Sequence, residues 1–193
     1  MPIEKLLSYF DRYLPLNDQE REELSNRCRE RRVKRRQFIL QEGDVCRHYN
    51  FVVEGCFKMY GVDAKGGEHN LQFAAEEDWI TDIGSFHSGK PSRLYIEAME
   101  PSSVIQIEKN DLLFLYENHP KFDRNFRVVI EDKFVELQNR VLQNISSTAE
   151  ERYLRFLELY PKLSNRLPNT QIASYLGITP EFLSKIRKGL ARR

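Results

Sequence analysis

Cysteine is scarce in this sequence: Cys28, Cys46 and Cys56 are the only three among 193 residues, and none stands in a CxxC spacing. So few thiols, odd in number, exclude a disulfide framework and a thiolate zinc site, and they point to reduced cysteines in a cytoplasmic protein. Long apolar runs are also missing. No stretch of about 18 apolar residues occurs, so no membrane span is expected. The opening Met-Pro-Ile-Glu-Lys lacks the apolar segment of a signal peptide. There is no low-complexity tract, and 40% hydrophobic with 31% charged residues describes an ordinary globular chain of one large domain or two small ones. No nucleophile–base pair, metal-ligand cluster or phosphate-cradling GxxxxGK appears, so an enzyme is not expected.

The net charge is small, +1, but it is unevenly spread. Residues 161–193 hold seven Lys/Arg and one acid, Glu181, which leaves 23 basic and 28 acidic residues in 1–160. Nucleic-acid binding shows as local charge of this kind, because each phosphate contact releases counterions. In the same stretch, two short helical patterns flank Gly177, a residue able to take the positive φ of a tight corner. The first predicts a helix from Asn169 or Thr170 to Leu176, with Ile172, Ala173 and Leu176 on its apolar face. The second starts at Thr179 as N-cap, with Pro180 in the first helical position and Glu181 in the first turn. Phe182, Leu183, Ile186 and Leu190 are expected to face inward, leaving Glu181, Ser184, Lys185, Arg187 and Lys188 outside. A helix–turn–helix reads the DNA major groove with the N-terminal half of such a second helix. The alternative is an ordinary αα-corner with a solvated basic face.

The rest of the chain supplies the frame. Residues 1–30 read as two helices, with Ile3, Leu6, Leu7 and Phe10 on one stripe and Asn17 or Asp18 capping the second. The dense basic run Arg27 to Arg36 reads as a solvated helix end and edge strand, or else as a second nucleic-acid patch. Between Phe38 and Glu108, short β-branched and aromatic segments separated by glycine turns predict an antiparallel sandwich or barrel rather than βαβ units. A short helix starts at Lys109. After Pro120 comes the longest helical pattern, with Phe122, Phe126, Val129, Ile130, Phe134, Leu137, Val141, Leu142 and Ile145 recurring at steps of three and four. So long a stripe calls for a partner along its length, either its own β domain alone or a second copy in a coiled-coil-like contact with the same stripe also touching the β domain. Ser147 or Thr148 then caps a helix running from Ala149 to Tyr160.

A β domain, a long helix and a helix–turn–helix in that order resemble the cyclic-AMP receptor protein/FNR family of bacterial transcription regulators over nearly the whole chain. The Gly43 and Gly55 turns, the stretch from Asp78 to Phe86 and the stretch from Gly177 to Ile186 carry the resemblance. It implies an α+β fold. An N-terminal antiparallel β-roll of the jelly-roll-like, double-stranded β-helix kind with flanking helices would occupy 1–118, a long dimerisation helix 119–146, and a small helix–turn–helix domain 147–193. The sequence stops at Arg193, about three residues past the last helix, so a full wing is not expected, and Arg192 and Arg193 would offset its loss by charge alone. By the resemblance, the roll senses a small-molecule effector, the long helix dimerises through Phe126, Ile130, Phe134, Leu137 and Val141, and the last helices read a palindrome. Base contact is carried onto Glu181 and Lys185, and phosphate or base contact onto Thr179, Pro180 and Ser184. Asn169, Thr170, Gln171, Arg187 and Lys188 complete the DNA-binding set. A glutamate can accept from cytosine N4 and a lysine can donate to guanine O6/N7.

The partners implied are double-stranded DNA, a second copy and RNA polymerase, with no membrane. The effector-binding set would be Asp82, Ile83, Gly84, Ser92 and Arg93, holding a cyclic nucleotide or another small anion. Two departures weaken that assignment. Thr81-Asp82 stands where cyclic-nucleotide-binding members have Gly-Glu, and Ser92-Arg93 stands one residue out of step with their Arg-Ser. An iron–sulfur cluster would need several closely spaced N-terminal cysteines, and only Cys28 is there. The scattered His48, His69, His87 and His119 give no case for haem. The rival reading is a cyclic-nucleotide-binding regulatory module whose C-terminal helices contact protein rather than DNA.

Overall fold

Local capping chemistry fixes where the first helices begin. In the computed structural model, which describes residues 2–192, α1 spans Pro2–Asp11 and α2 spans Asp18–Arg27. Met1 and Arg193, the latter counted in the basic tail above, lie outside the described residues. Asn17 starts α2: its side chain accepts from the Glu20 N–H at 2.8 Å, and the Glu20 carboxylate accepts from the Asn17 N–H at 2.7 Å. This reciprocal pair satisfies two donors that a helix start otherwise leaves open.

Eight strands follow: β1 Cys28–Val33, β2 Phe38–Leu40, β3 His48–Glu54, β4 Phe57–Val62, β5 Glu68–Ala74, β6 Trp79–Ile80, β7 Tyr95–Ala98 and β8 Ser102–Glu108. They form two four-stranded sheets, ordered β1-β8-β3-β6 and β2-β7-β4-β5, and the pairs β1–β8, β3–β8, β3–β6, β2–β7 and β4–β7 are antiparallel. This is the expected antiparallel roll. β8 is buried from Ser102 to Ile107 on both faces, polar Ser102, Ser103 and Gln106 included, and it lies between β1 and β3 in the sheet. The basic run becomes the end of α2 and the edge strand β1. At the β3–β4 turn, Gly55 adopts φ +92°, and a Cβ there would collide with Ser102, so the turn requires glycine twice over.

Sequence reading missed β6 and the short helix α3, Ile83–Ser88, both too short to show periodicity. The remaining helices are α4 Lys109–Asn118, α5 Pro120–Ser146, α6 Ala149–Leu159, α7 Asn169–Leu176 and α8 Pro180–Leu190. The chain divides into two compact units, one of residues 1–60 and 72–132, the other of residues 61–71 and 133–193. No helix among the described residues is long and apolar enough to cross a membrane.

In the first unit an aromatic cluster is centred on Trp79, whose ring centroid lies 5.1 Å from Phe51, 5.2 Å from Phe126, 5.8 Å from Tyr49 and 6.1 Å from Phe10. Edge-on and tilted ring pairs at such distances add to the gain from burial. Phe126 was expected on the dimer stripe, but it is 1% exposed and closes this core. The stripe therefore splits along the helix. Phe122, Phe126 and Val129 are buried, Ile130 is half-buried, and Phe134, Leu137, Val141, Leu142 and Ile145 are exposed. Beside Phe126, the fully buried Asn125 holds the α1–α2 link, accepting from the Leu14 N–H and donating to the Leu14 carbonyl, both at 3.2 Å.

Replacing Phe126 with Ala should lower unfolding free energy by about 3–5 kcal/mol, through lost transfer energy and the cavity left behind. Chemical denaturation followed by tryptophan fluorescence measures this directly, since Trp79 lines the same cavity.

Candidate nucleic-acid interface and sensor loop

In the second unit α7 and α8 meet at Gly177, a left-handed C-cap with φ 66° whose N–H returns to the last turn of α7. Thr179 caps α8 as expected, its hydroxyl accepting from the Phe182 N–H at 3.2 Å, and Pro180 occupies the first turn. The core beneath is built from Tyr153, Phe156, Leu163, Ile172, Ala173, Leu176, Leu183 and Ile186, all buried.

This packing presents the outer face of α8. Glu181, Lys185 and Lys188 are exposed, and Ser184 is half-buried with its hydroxyl donated to the Pro180 carbonyl at 3.0 Å. Hydrogen bonds from its own backbone N–H and from the Thr179 hydroxyl hold the Glu181 carboxyl below its ordinary pKa, so it stands as an ionised acceptor on the helix surface. Asn169, Thr170 and Thr179 are exposed as well.

Three residues of this region do not sit as predicted. Phe182, expected inward, is 48% exposed, because the buried ridge of α8 runs through Leu183 and Ile186 and Phe182 falls on its flank. Arg187 turns back on its own unit, donating to Asn169 Oδ1 at 2.7 Å and lying over the Tyr153 ring at 5.4 Å. Its charge ties α8 to the start of α7. Gln171 is half-buried and accepts from Asn70, as described next.

Sequence reading gave no sign of how the 61–71 hairpin tip joins this unit. Buried Asn70 donates its backbone N–H to Ser174 Oγ at 3.1 Å and its side-chain amide to the Gln171 carbonyl and Gln171 Oε1 at 3.0 and 2.9 Å. Ser174 in turn donates to the Glu68 carbonyl at 2.8 Å. Over this joint lies Arg140 of α5. Its guanidinium donates to the carbonyls of Asn70 at 2.9 Å, of Tyr175 at 3.2 Å and of Leu71, and it stacks on the Tyr175 ring at 4.0 Å. One turn earlier, Glu136 accepts from the Tyr160 hydroxyl at 2.9 Å and pairs with Lys133 at 3.0 Å. The second half of α5 thus has a polar, engaged face and an exposed apolar one.

The predicted effector residues lie in the first unit, around α3. Asp82 caps that helix, Oδ1 accepting from the Ser85 N–H at 3.1 Å, while Oδ2 accepts from Ser92 Oγ at 2.6 Å. Ile83, Gly84 and Arg93 are exposed. Each oxygen of the carboxylate expected to take a ligand hydroxyl thus already accepts one hydrogen bond from the chain itself. Among the described residues no three His, Cys, Asp or Glu side chains converge as a metal site. Burial pushes the Cys28 thiol up to about 12, helped by the nearby Asp111 charge, and burial raises Cys46 as well.

Comparison with known proteins agrees with the fold. Residues 30–119 match the cyclic nucleotide-binding domain family. A protein named as the probable transcriptional regulator flp of Lacticaseibacillus casei is 25% identical over 182 residues, covering 91% of this chain and 82% of the relative. The fold is shared with FixK2 from Bradyrhizobium japonicum, with a TM-score of 0.74 at 20% identity over 86% of this chain and 85% of that one. It is shared also with a crp/fnr-family protein from Eubacterium rectale, with a TM-score of 0.71 at 17% identity over 95% and 88%. The chain therefore carries a cyclic nucleotide-binding domain over residues 30–119 and shares the fold of these regulators over most of its length.

Arg140→Ala should destabilise the second unit by at least about 2 kcal/mol, since it removes charge-assisted bonds to three carbonyls at once. Arg140→Lys should recover little, because an ammonium cannot fork across them. Denaturation and faster hydrogen exchange at the Asn70 amide are the readouts, and an unchanged exchange rate would show that Arg140 does not hold the joint.

Proposed function

We propose that the protein is a homodimeric DNA-binding transcription regulator that reads a palindromic site and responds to a small anionic effector. Residues 1–118 form the sensor, 119–146 the dimerisation helix and 147–193 the reader. The observation that carries this reading is α8: a capped helix at a glycine corner whose outward face presents Glu181, Ser184, Lys185 and Lys188. A carboxylate and an ammonium four residues apart share one side of a helix and suit cytosine N4 and guanine O6/N7. Lys188 and Arg192, farther from the helix start, serve phosphate. The protein acts in the cytoplasm by binding DNA and RNA polymerase, without catalysis.

The exposed Phe134, Leu137, Val141 and Ile145 supply the dimer contact. A contiguous apolar stripe of this length on a helix marks an association surface. Two copies placed back to back would present two reading helices to two half-sites. On the sensor side, exposed Arg93 is the cation available to an anion, and a cyclic nucleotide is disfavoured because Asp82 is already engaged.

The double substitution Leu137→Lys and Val141→Lys should yield monomers by sedimentation and abolish tight operator binding. Wild-type protein that is monomeric at micromolar concentration would refute the dimer. Selection of bound sequences from random duplexes by the intact protein tests the reading itself. On the recovered site Lys185→Ala should cost about 1–3 kcal/mol at the preferred base pair alone, whereas Lys188→Ala should weaken all duplexes alike and reduce the salt slope by about one.

A further inference from the structure

Phe182 is a large aromatic of the reading helix that the core of its own unit does not cover. Its neighbours Leu183 and Ile186 are buried, yet half of the Phe182 ring is open to solvent, so much of the gain from burying an aromatic is forgone there. The ring stands on the flank of α8, one residue from Glu181 and three from Lys185. It also lines an open cleft of about 560 Å³ between the start of α6 and the length of α8, whose other walls include Leu154, Lys185, Ile186 and Gly189. Leu154 is exposed too. The cleft is mainly apolar, and Glu150 and Glu151 stand at its α6 side, which makes it a poor seat for a phosphate. Lys185, Lys188 and Arg192 lie on the same helix or just past it and keep the surrounding surface suited to a polyanion.

We propose that Phe182 is a specificity-determining residue that packs on the 5-methyl group of a thymine in the major groove. The proposal rests on the reading that α8 enters that groove. Among the base edges exposed there, thymine alone offers an apolar group. Glu181 and Lys185 carry the chemistry for cytosine and guanine, so an apolar ring on the flank beside them covers a base that neither can read. The bound half-site should therefore hold a thymine next to the G·C pairs read by Glu181 and Lys185.

The test uses the full chain and the duplex it selects from random DNA. Each thymine is replaced singly by 2′-deoxyuridine, which removes only the methyl group. Wild-type protein should lose about fourfold in affinity at one thymine per half-site, the worth of one buried methyl group, and be indifferent at the others. Phe182→Ala should bind the thymine and uracil duplexes equally, at the weaker level, with binding to random duplexes unchanged. Phe182→Leu should keep part of the methyl preference, and a circular-dichroism melt of each variant confirms that it is folded. Equal methyl sensitivity in wild type and Phe182→Ala would overturn the proposal, as would an equal loss on every duplex. If the protein selects no duplex at all, the DNA-binding reading fails, and this proposal with it. Sequence-selective binding that ignores every methyl group sinks the proposal alone.

Discussion

The second unit depends on one guanidinium. Arg140 donates to three backbone carbonyls, those of Asn70, Leu71 and Tyr175, and stacks on the Tyr175 ring. These carbonyls come from a hairpin tip and from the end of α7, segments about a hundred residues apart in the chain. A planar fork of fixed donors suits that task better than any other side chain, because it can join several acceptors without losing much freedom for each bond. Around it the smaller bonds fall into place. Asn70 reaches Gln171 and Ser174, Ser174 returns to Glu68, and Glu136 takes the Tyr160 hydroxyl. The first turn of the helix–turn–helix is thereby set by side chains outside it.

Much of the architecture was legible in the sequence, for local reasons. Thr179 with Pro180, Thr148 with Glu151, and Gly177 announce helix ends through chemistry that acts within three or four residues. The strands from β2 to β5 show their β-branched and aromatic content without tertiary help. Long-range pairing was not legible. Nothing near Asn70 or Arg140 signals that the two will meet, and nothing near Asp82 signals that Ser92 will satisfy it. Phe182 and Phe126 were misplaced for a related reason. Helical spacing gives a stripe but not its width or where the covering surface ends, so Phe126 belongs to the core and Phe182 to the open flank.

Charge on α8 is divided by position. Arg187 is drawn into a bond with Asn169 and contact with Tyr153, and so is lost to the surface. Lys185 and Lys188 remain outward, and Glu181 stays ionised among them because hydrogen bonds from the helix start favour its charged form. On the proposed reading of DNA, a carboxylate at this place would weaken general attraction to phosphate. It would serve discrimination rather than affinity, since a repulsive element against the wrong sequence is one half of specificity.

The closed Asp82–Ser92 pair turns effector entry into an exchange reaction. On the proposed reading, a ligand hydroxyl that took the same lone pair of Asp82 Oδ2 would displace the Ser92 hydroxyl, which sits 2.6 Å from that oxygen. One hydroxyl would replace another, and the released serine has the Leu94 carbonyl within reach at 3.3 Å, so this step alone would yield little net free energy. A molecule that also brought a negative group to the exposed guanidinium of Arg93 would gain an interaction that a neutral polyol lacks.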